Sequence, residues 1–179
     1  MKYLQQYSIP YTGLKHGKHQ FEFDVDQRFF QEFEYSLVKD GKLHVKLELE
    51  KQETMLILLF DILGYVNLTC DVCLAEYPHQ MNIQERQIAK FSEEELNDNS
   101  EEIIVLNRND HVIDVSGLIY EFITLSVPFV NRCDDEGNNS FCDKEMIEQL
   151  NKLSVKVQEE EPQADPRWEA LNKIKKDNN

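Results

Sequence analysis

The chain has 179 residues, 41% of them hydrophobic, and its 34 Asp and Glu against 19 Lys and Arg leave a formal charge of −15. That length suits one domain, or one domain and a tail, with a core large enough to stand without staples, and the apolar fraction excludes wholesale disorder. The acidity opposes direct binding to a nucleic-acid backbone, because phosphate contacts need Lys and Arg, and makes a basic partner the easier match.

The opening residues carry no apolar h-region. The longest apolar stretch, residues 55–63 broken by Asp61, falls short of the roughly 18 residues of a membrane helix. The expectation is a cytoplasmic protein with no membrane contact. Four cysteines, Cys70, Cys73, Cys133 and Cys142, then read as thiols, metal ligands or redox groups more readily than as a disulfide frame.

In chain order, residues 3–10 and 18–24 have the composition and alternation of strands, with Phe21 and Phe23 on one face. Asp26 caps a short helix that buries Phe29, Phe30 and Phe33. Lys39-Asp40-Gly41 turns the chain into an alternating strand, with Leu43, Val45, Leu47 and Leu49 inward and His44, Lys46, Glu48 and Glu50 outward. Residues 55–70, interrupted by Gly64, suit a long bent central strand or two strands about a bulge. Another strand follows Pro78, then residues 92–102 read as a mobile acidic loop before 103–106 return to the sheet.

Asp114 is placed to cap a helix carrying Leu118, Ile119, Phe122, Ile123 and Leu125, which Pro128 ends. Asp143 caps another, with Met146, Ile147, Leu150 and Leu153 on one face. The fold class is α+β: a mostly antiparallel sheet or partial β-barrel with a few short helices and a helical C-terminal tail. Residues 1–157 form a single domain, 158–165 an acidic linker, and 166–176 an amphipathic helix opened by Asp165-Pro166. Trp168, Leu171 and Ile174 make that helix's narrow apolar stripe, which needs its own domain or a partner to dock on.

Cys70-Asp71-Val72-Cys73 has the two-residue gap that turns two sulfurs toward one ion. Cys133 and Cys142, with eight residues between them, are a wider second pair, and both pairs lie at element ends. The expectation is a zinc site of Cys70, Cys73, Cys133 and Cys142, with His79, near Cys73 in sequence, as a reserve ligand; the alternatives are small buried thiols, or a vestigial ligand set of Cys70 and Cys73 alone. Redox chemistry is disfavoured by Asp71 and Glu76, which carry the wrong sign to lower a thiol pKa. The chain lacks a phosphate-binding glycine loop, Gly-x-Ser-x-Gly and His-Glu-x-x-His, its histidines are scattered, and its carboxylates share one solvated environment, so no active site is indicated.

Three passages together resemble the YceD family, the large ribosomal RNA subunit accumulation proteins. Leu68-Thr69-Cys70-Asp71-Val72-Cys73-Leu74 is similar to its strand ending in Cys-x-Arg-Cys-Leu, with Val72 in place of the arginine. Residues 113–128, Ile113-Asp114-Val115 through Leu125-Ser126-Val127-Pro128, are similar to its Ile-Asp-Leu helix ending in Leu-x-x-Pro. Asp165-Pro166-Arg167-Trp168-Glu169-Ala170-Leu171 is similar to its C-terminal Asp-Pro-Arg-x-x-x-Leu. The resemblance implies a role in synthesis, processing or stability of large-subunit (23S) ribosomal RNA and no established catalytic reaction; Cys133 and Cys142 carry over only as candidate ligands.

Together these readings give a non-enzymatic ribosome-biogenesis factor that engages a basic ribosomal protein or a large-subunit assembly intermediate, with weak or indirect RNA contact. The candidate contact residues are Glu93, Glu94, Glu95, Glu101 and Glu102 of the acidic run and Trp168, Leu171 and Ile174 of the terminal stripe. The alternatives are a zinc-dependent RNA-binding module, which a face built from Lys39, Lys42, Lys46, Lys51 and Arg86 would favour, and an RNA-maturation enzyme.

Overall fold

The computed structural model describes residues 3–92, 103–107, 110–133 and 140–154. The chain divides into two compact units, Met1–Asp143 and Lys144–Asn179. In the first, five strands form an open sheet in the order β2 (Gly17–Val25), β3 (Gly41–Lys51), β4 (Met55–Thr69), β5 (Glu76–Ser92) and β6 (Ile103–Asn107). β2 to β5 are an antiparallel meander, whereas β6 joins β5 in parallel. A second, two-stranded ladder pairs β1 (Ser8–Ile9) with β7 (Ile113–Asp114).

Alternation decides which face is buried. Leu43, Val45, Leu47 and Leu49 of β3, Leu56, Leu58, Phe60 and Ile62 of β4, and Tyr77, Met81 and Ile83 of β5 point to one face and are buried. That face is covered by α1 (Gln27–Gln31), α2 (Ser116–Leu125) and the N-terminal segment. Phe60 meets Phe122 of α2 edge-on at 5.2 Å, and Tyr7 packs against Phe23 and Phe29 at 5.5 and 5.0 Å. Phe33 and Tyr120 stack at 4.0 Å and tie the end of α1 to α2. The other face, with Lys46, Glu48, Leu59, Asp61 and Arg86, forms an open trough.

The helix caps follow from the sequence. Asp26 Oδ1 accepts from the backbone N–H of Arg28 and Phe29, at 2.9 and 3.3 Å, and from the Tyr3 hydroxyl at 2.8 Å. Asp114 Oδ1 accepts from Ser116 N–H at 2.9 Å, although Asp114 itself sits in β7 and Val115 holds the cap position. Ile119 and Ile123 are buried, whereas Leu125, the last residue of α2, is 75% exposed.

Residues 3–10 are not one strand: Leu4–Tyr7 is a 3₁₀ turn before β1, and it swings the Tyr7 ring into the core while its hydroxyl donates to Asp24 O at 2.8 Å. β4 is one unbroken strand of 15 residues, with continuous register to both neighbours and no bulge at Gly64. Gly64 instead permits close packing. Its φ is +151°, and a Cβ there would lie 2.2 Å from Lys42 O. The second unit contributes α3 (Lys144–Leu153), on which Met146 and Ile147 are half-buried and Leu150 and Leu153 exposed.

Candidate metal centre

The six residues joining β4 to β5 form a tight knuckle. Cys70 N–H donates to Ala75 O at 2.9 Å and Leu74 N–H returns to Cys70 O at 3.0 Å. Closing it puts Leu74 at φ +62°, a left-handed conformation that costs a side-chain-bearing residue roughly 1–2 kcal/mol. In return Val72 N–H is aimed at Cys70 Sγ, 3.4 Å away, and both cysteine side chains turn inward.

The third thiol comes from the chain that leaves α2. Asp71 N–H donates to Asn131 O at 2.8 Å, and Asn131 N–H donates to Asp71 Oδ2 at 2.7 Å. This reciprocal clamp delivers Cys133 to the knuckle. The sulfurs of Cys70, Cys73 and Cys133 all lie within 4.8 Å of one another, with Cys73 and Cys133 3.4 Å apart, and all three residues are 2% exposed. Cys142 is half-buried, and its thiol interacts with those of Cys133 and Cys73. The structure therefore brings three of the four cysteines into a tight buried group, with the half-buried Cys142 outside it.

The electrostatics of the thiols are uneven. Burial raises the Cys70 thiol, but the backbone N–H groups of Cys73, Cys133 and Val72 outweigh it and hold Cys70 well below the ordinary thiol range. Burial and the neighbouring Cys73 and Cys70 sulfurs push Cys133 up. Burial likewise raises Cys142, which the charges of Cys73 and Cys70 reinforce. The thiolate of Cys70 is thus favoured by the fold, and those of Cys133 and Cys142 are opposed by it.

The donor set fits zinc. A tetrahedral ion with bonds of about 2.3 Å places its sulfurs about 3.8 Å apart, close to the spacing present here. N–H groups aimed at a sulfur are also what orients a thiolate ligand. Such a centre would be structural, joining the β4–β5 knuckle to the segment after α2.

The other sequence-derived candidates fall elsewhere. His79 lies in β5 beside Tyr77, outside the thiol group. Glu93, Glu94, Glu95, Glu101 and Glu102, and likewise Trp168, Leu171 and Ile174, lie outside the described residues.

Lys39, Lys42, Lys46, Lys51 and Arg86 do not make a basic face. Lys46 stands directly between Glu22 and Asp61, and Arg86 pairs with Leu59, whose other neighbour is Glu48. The Lys51 ammonium donates to the carbonyls of Tyr11, Thr12 and Leu14. Sequence reasoning missed Asn131, whose role depends on Asp71, sixty residues earlier in the chain, and no local pattern marks it.

A family model described as large ribosomal RNA subunit accumulation protein YceD matches residues 58–175. The match begins within β4 and takes in the knuckle, Cys133, Cys142 and all three passages on which the resemblance rests. No curated protein and no solved structure matched the chain. The family match covers most of its length, and the chain belongs to the YceD family.

Proposed function

From this membership we propose that the chain is a non-enzymatic factor in the accumulation of large-subunit ribosomal RNA, and that it acts by binding a basic ribosomal or assembly protein. The family match carries the reading. The charge supports the choice of partner: at −15 overall, with the cations of the sheet face interleaved with carboxylates, a protein rich in Lys and Arg is favoured electrostatically over a phosphate backbone.

In this reading zinc is held by Cys70, Cys73, Cys133 and Cys142 and has an architectural task. It cross-links two segments that the chain otherwise joins through the Asp71–Asn131 clamp. The thiols bind and fix; no reaction is assigned to them.

The test is affinity purification from cells at gentle salt followed by gradient sedimentation. The expected result is co-migration with immature large subunits, and large-subunit RNA should fall when the protein is depleted. Migration with free small molecules or with small subunits alone, with RNA levels unchanged, would overturn the reading.

A further inference from the structure

Beside the thiol cluster lies a groove of about 520 Å³ whose walls come from three places: residues 37–40, the β4–β5 connection, and the chain leaving α2. Its apolar lining includes Leu37, 81% exposed, Pro128, and the fully exposed Phe129. Its charged lining residues are Asp40, Asp71 and Glu76 and one cation, Lys39.

Two of these carboxylates are held in place. Asp40 accepts from the Asn67 side chain at 2.7 Å through Oδ2, and Asp71 accepts from Asn131 N–H, also through Oδ2. The ion pairs among the described residues join Lys18 to Glu48 and His44 to Asp24 and Glu22, so all three groove carboxylates are without one there.

We propose that this groove receives an arginine-bearing segment of the basic partner protein, with guanidinium groups on Asp40, Asp71 and Glu76 and the aliphatic or aromatic neighbours of the arginine on Leu37, Pro128 and Phe129. Arginine is the cation that this juxtaposition fits. Its planar fork matches a carboxylate bidentately, and the same plane stacks on an aromatic ring such as Phe129. A nucleic-acid backbone meets repulsion from three carboxylates here, whereas an apolar segment without charge leaves them desolvated and unpaired. Arginine is also among the residues enriched in binding hot spots. The inference rests on the proposed basic partner and adds the surface that it occupies.

The test uses the full chain carrying a photo-crosslinker, with Phe129→benzoylphenylalanine compared with Leu59→benzoylphenylalanine on the open sheet face, and acid-extracted large-subunit ribosomal proteins as the probe. Crosslinks from position 129 should fall on Arg-rich segments and exceed those from position 59 by about tenfold. Adding Glu76→Lys, or Leu37→Ser as a second exposed change, should lower the yield by a similar factor with the urea midpoint unchanged. Equal yields from both positions, indifference to both changes, or crosslinks to another copy or to added ribosomal RNA instead of protein would overturn the groove assignment. Sedimentation separates the two proposals. If the wild-type chain and Glu76→Lys co-migrate equally with immature subunits, the groove fails and the functional reading stands; if the wild type does not co-migrate yet crosslinks at 129 as described, the groove stands and the assembly role fails.

Discussion

Asp71 and Asn131 grip each other in both directions, backbone N–H to carbonyl at 2.8 Å and backbone N–H to carboxylate at 2.7 Å. The pair lies outside the thiol cluster yet sets the distance across it, since Cys70 and Cys73 flank Asp71 while Cys133 follows Asn131 by two residues.

Asp71→Ala removes the acceptor and leaves Asn131 N–H without its partner. It should weaken zinc binding by about tenfold or more, the usual effect of losing an outer-shell partner, and cost about 1 kcal/mol of stability because the carboxylate is exposed. Asp71→Asn, which keeps an acceptor oxygen, should restore most of both. Competition with a chromophoric chelator and urea unfolding read the two effects. Equal zinc affinity in Asp71→Ala and wild type would show that the clamp does not position the ligands.

Elemental analysis of untagged protein should find one zinc per chain. Cys73→Ser and Cys133→Ser, at buried positions, should lose it, and Cys142→Ser, at the half-buried position, should keep it with weaker affinity. Removing the metal should lower the unfolding free energy by roughly 3 kcal/mol or more, about 10 °C in Tm. Metal-free protein with four freely reactive thiols and an undiminished Tm would defeat the zinc assignment.

Gly64→Ala should be among the most damaging single changes in the sheet. The backbone there has φ +151° and the new methyl would meet Lys42 O at 2.2 Å and Leu43 Cα at 2.7 Å, so β3 and β4 must separate. A loss of about 3 kcal/mol or more is expected in urea unfolding, or failure to accumulate as soluble protein. Gly13→Ala meets nothing within 4 Å and should stay within about 0.5 kcal/mol of wild type.

Asp26 links the N-terminal turn to acid stability. Burial raises its pKa, but the Tyr3 hydroxyl and the Phe29 and Arg28 amides prevail and hold the carboxyl below the usual range. A depressed folded-state pKa means that the contribution is present above the unfolded value of about 3.9 and is lost as pH falls through the folded value. Asp26→Ala should cost about 1 kcal/mol at neutral pH as a lost cap, and the gap to wild type should close as the pH is taken below about 4. A gap that stays constant to pH 2 would contradict the assignment.

The elements that were legible in the sequence are those whose burial repeats at a fixed period. Leu43, Val45, Leu47 and Leu49 alternate on β3, and Asp26 sits where a helix must begin, so strand, face and cap follow from local spacing. The pair Cys70 and Cys73 was equally plain, since two residues are what a sulfur knuckle requires. Residues 3–10 misled because Tyr7 and Ile9 have strand character, whereas the burial of the Tyr7 ring against Phe23 and Phe29 favours a turn first.

Sequence by itself thus determined the α+β class, the inward face of β3, the family passages and the first two thiols, because each is written in neighbours a few residues apart. Only the tertiary structure decided that Cys133 joins them, that Lys46 stands between Glu22 and Asp61 and Arg86 beside Leu59 instead of forming a basic face, and that Phe129 and Glu76 line one groove. Those relationships span tens of residues and are fixed by strand register and by the Asp71–Asn131 clamp, and the energy that selects them exists only once both segments have been brought together.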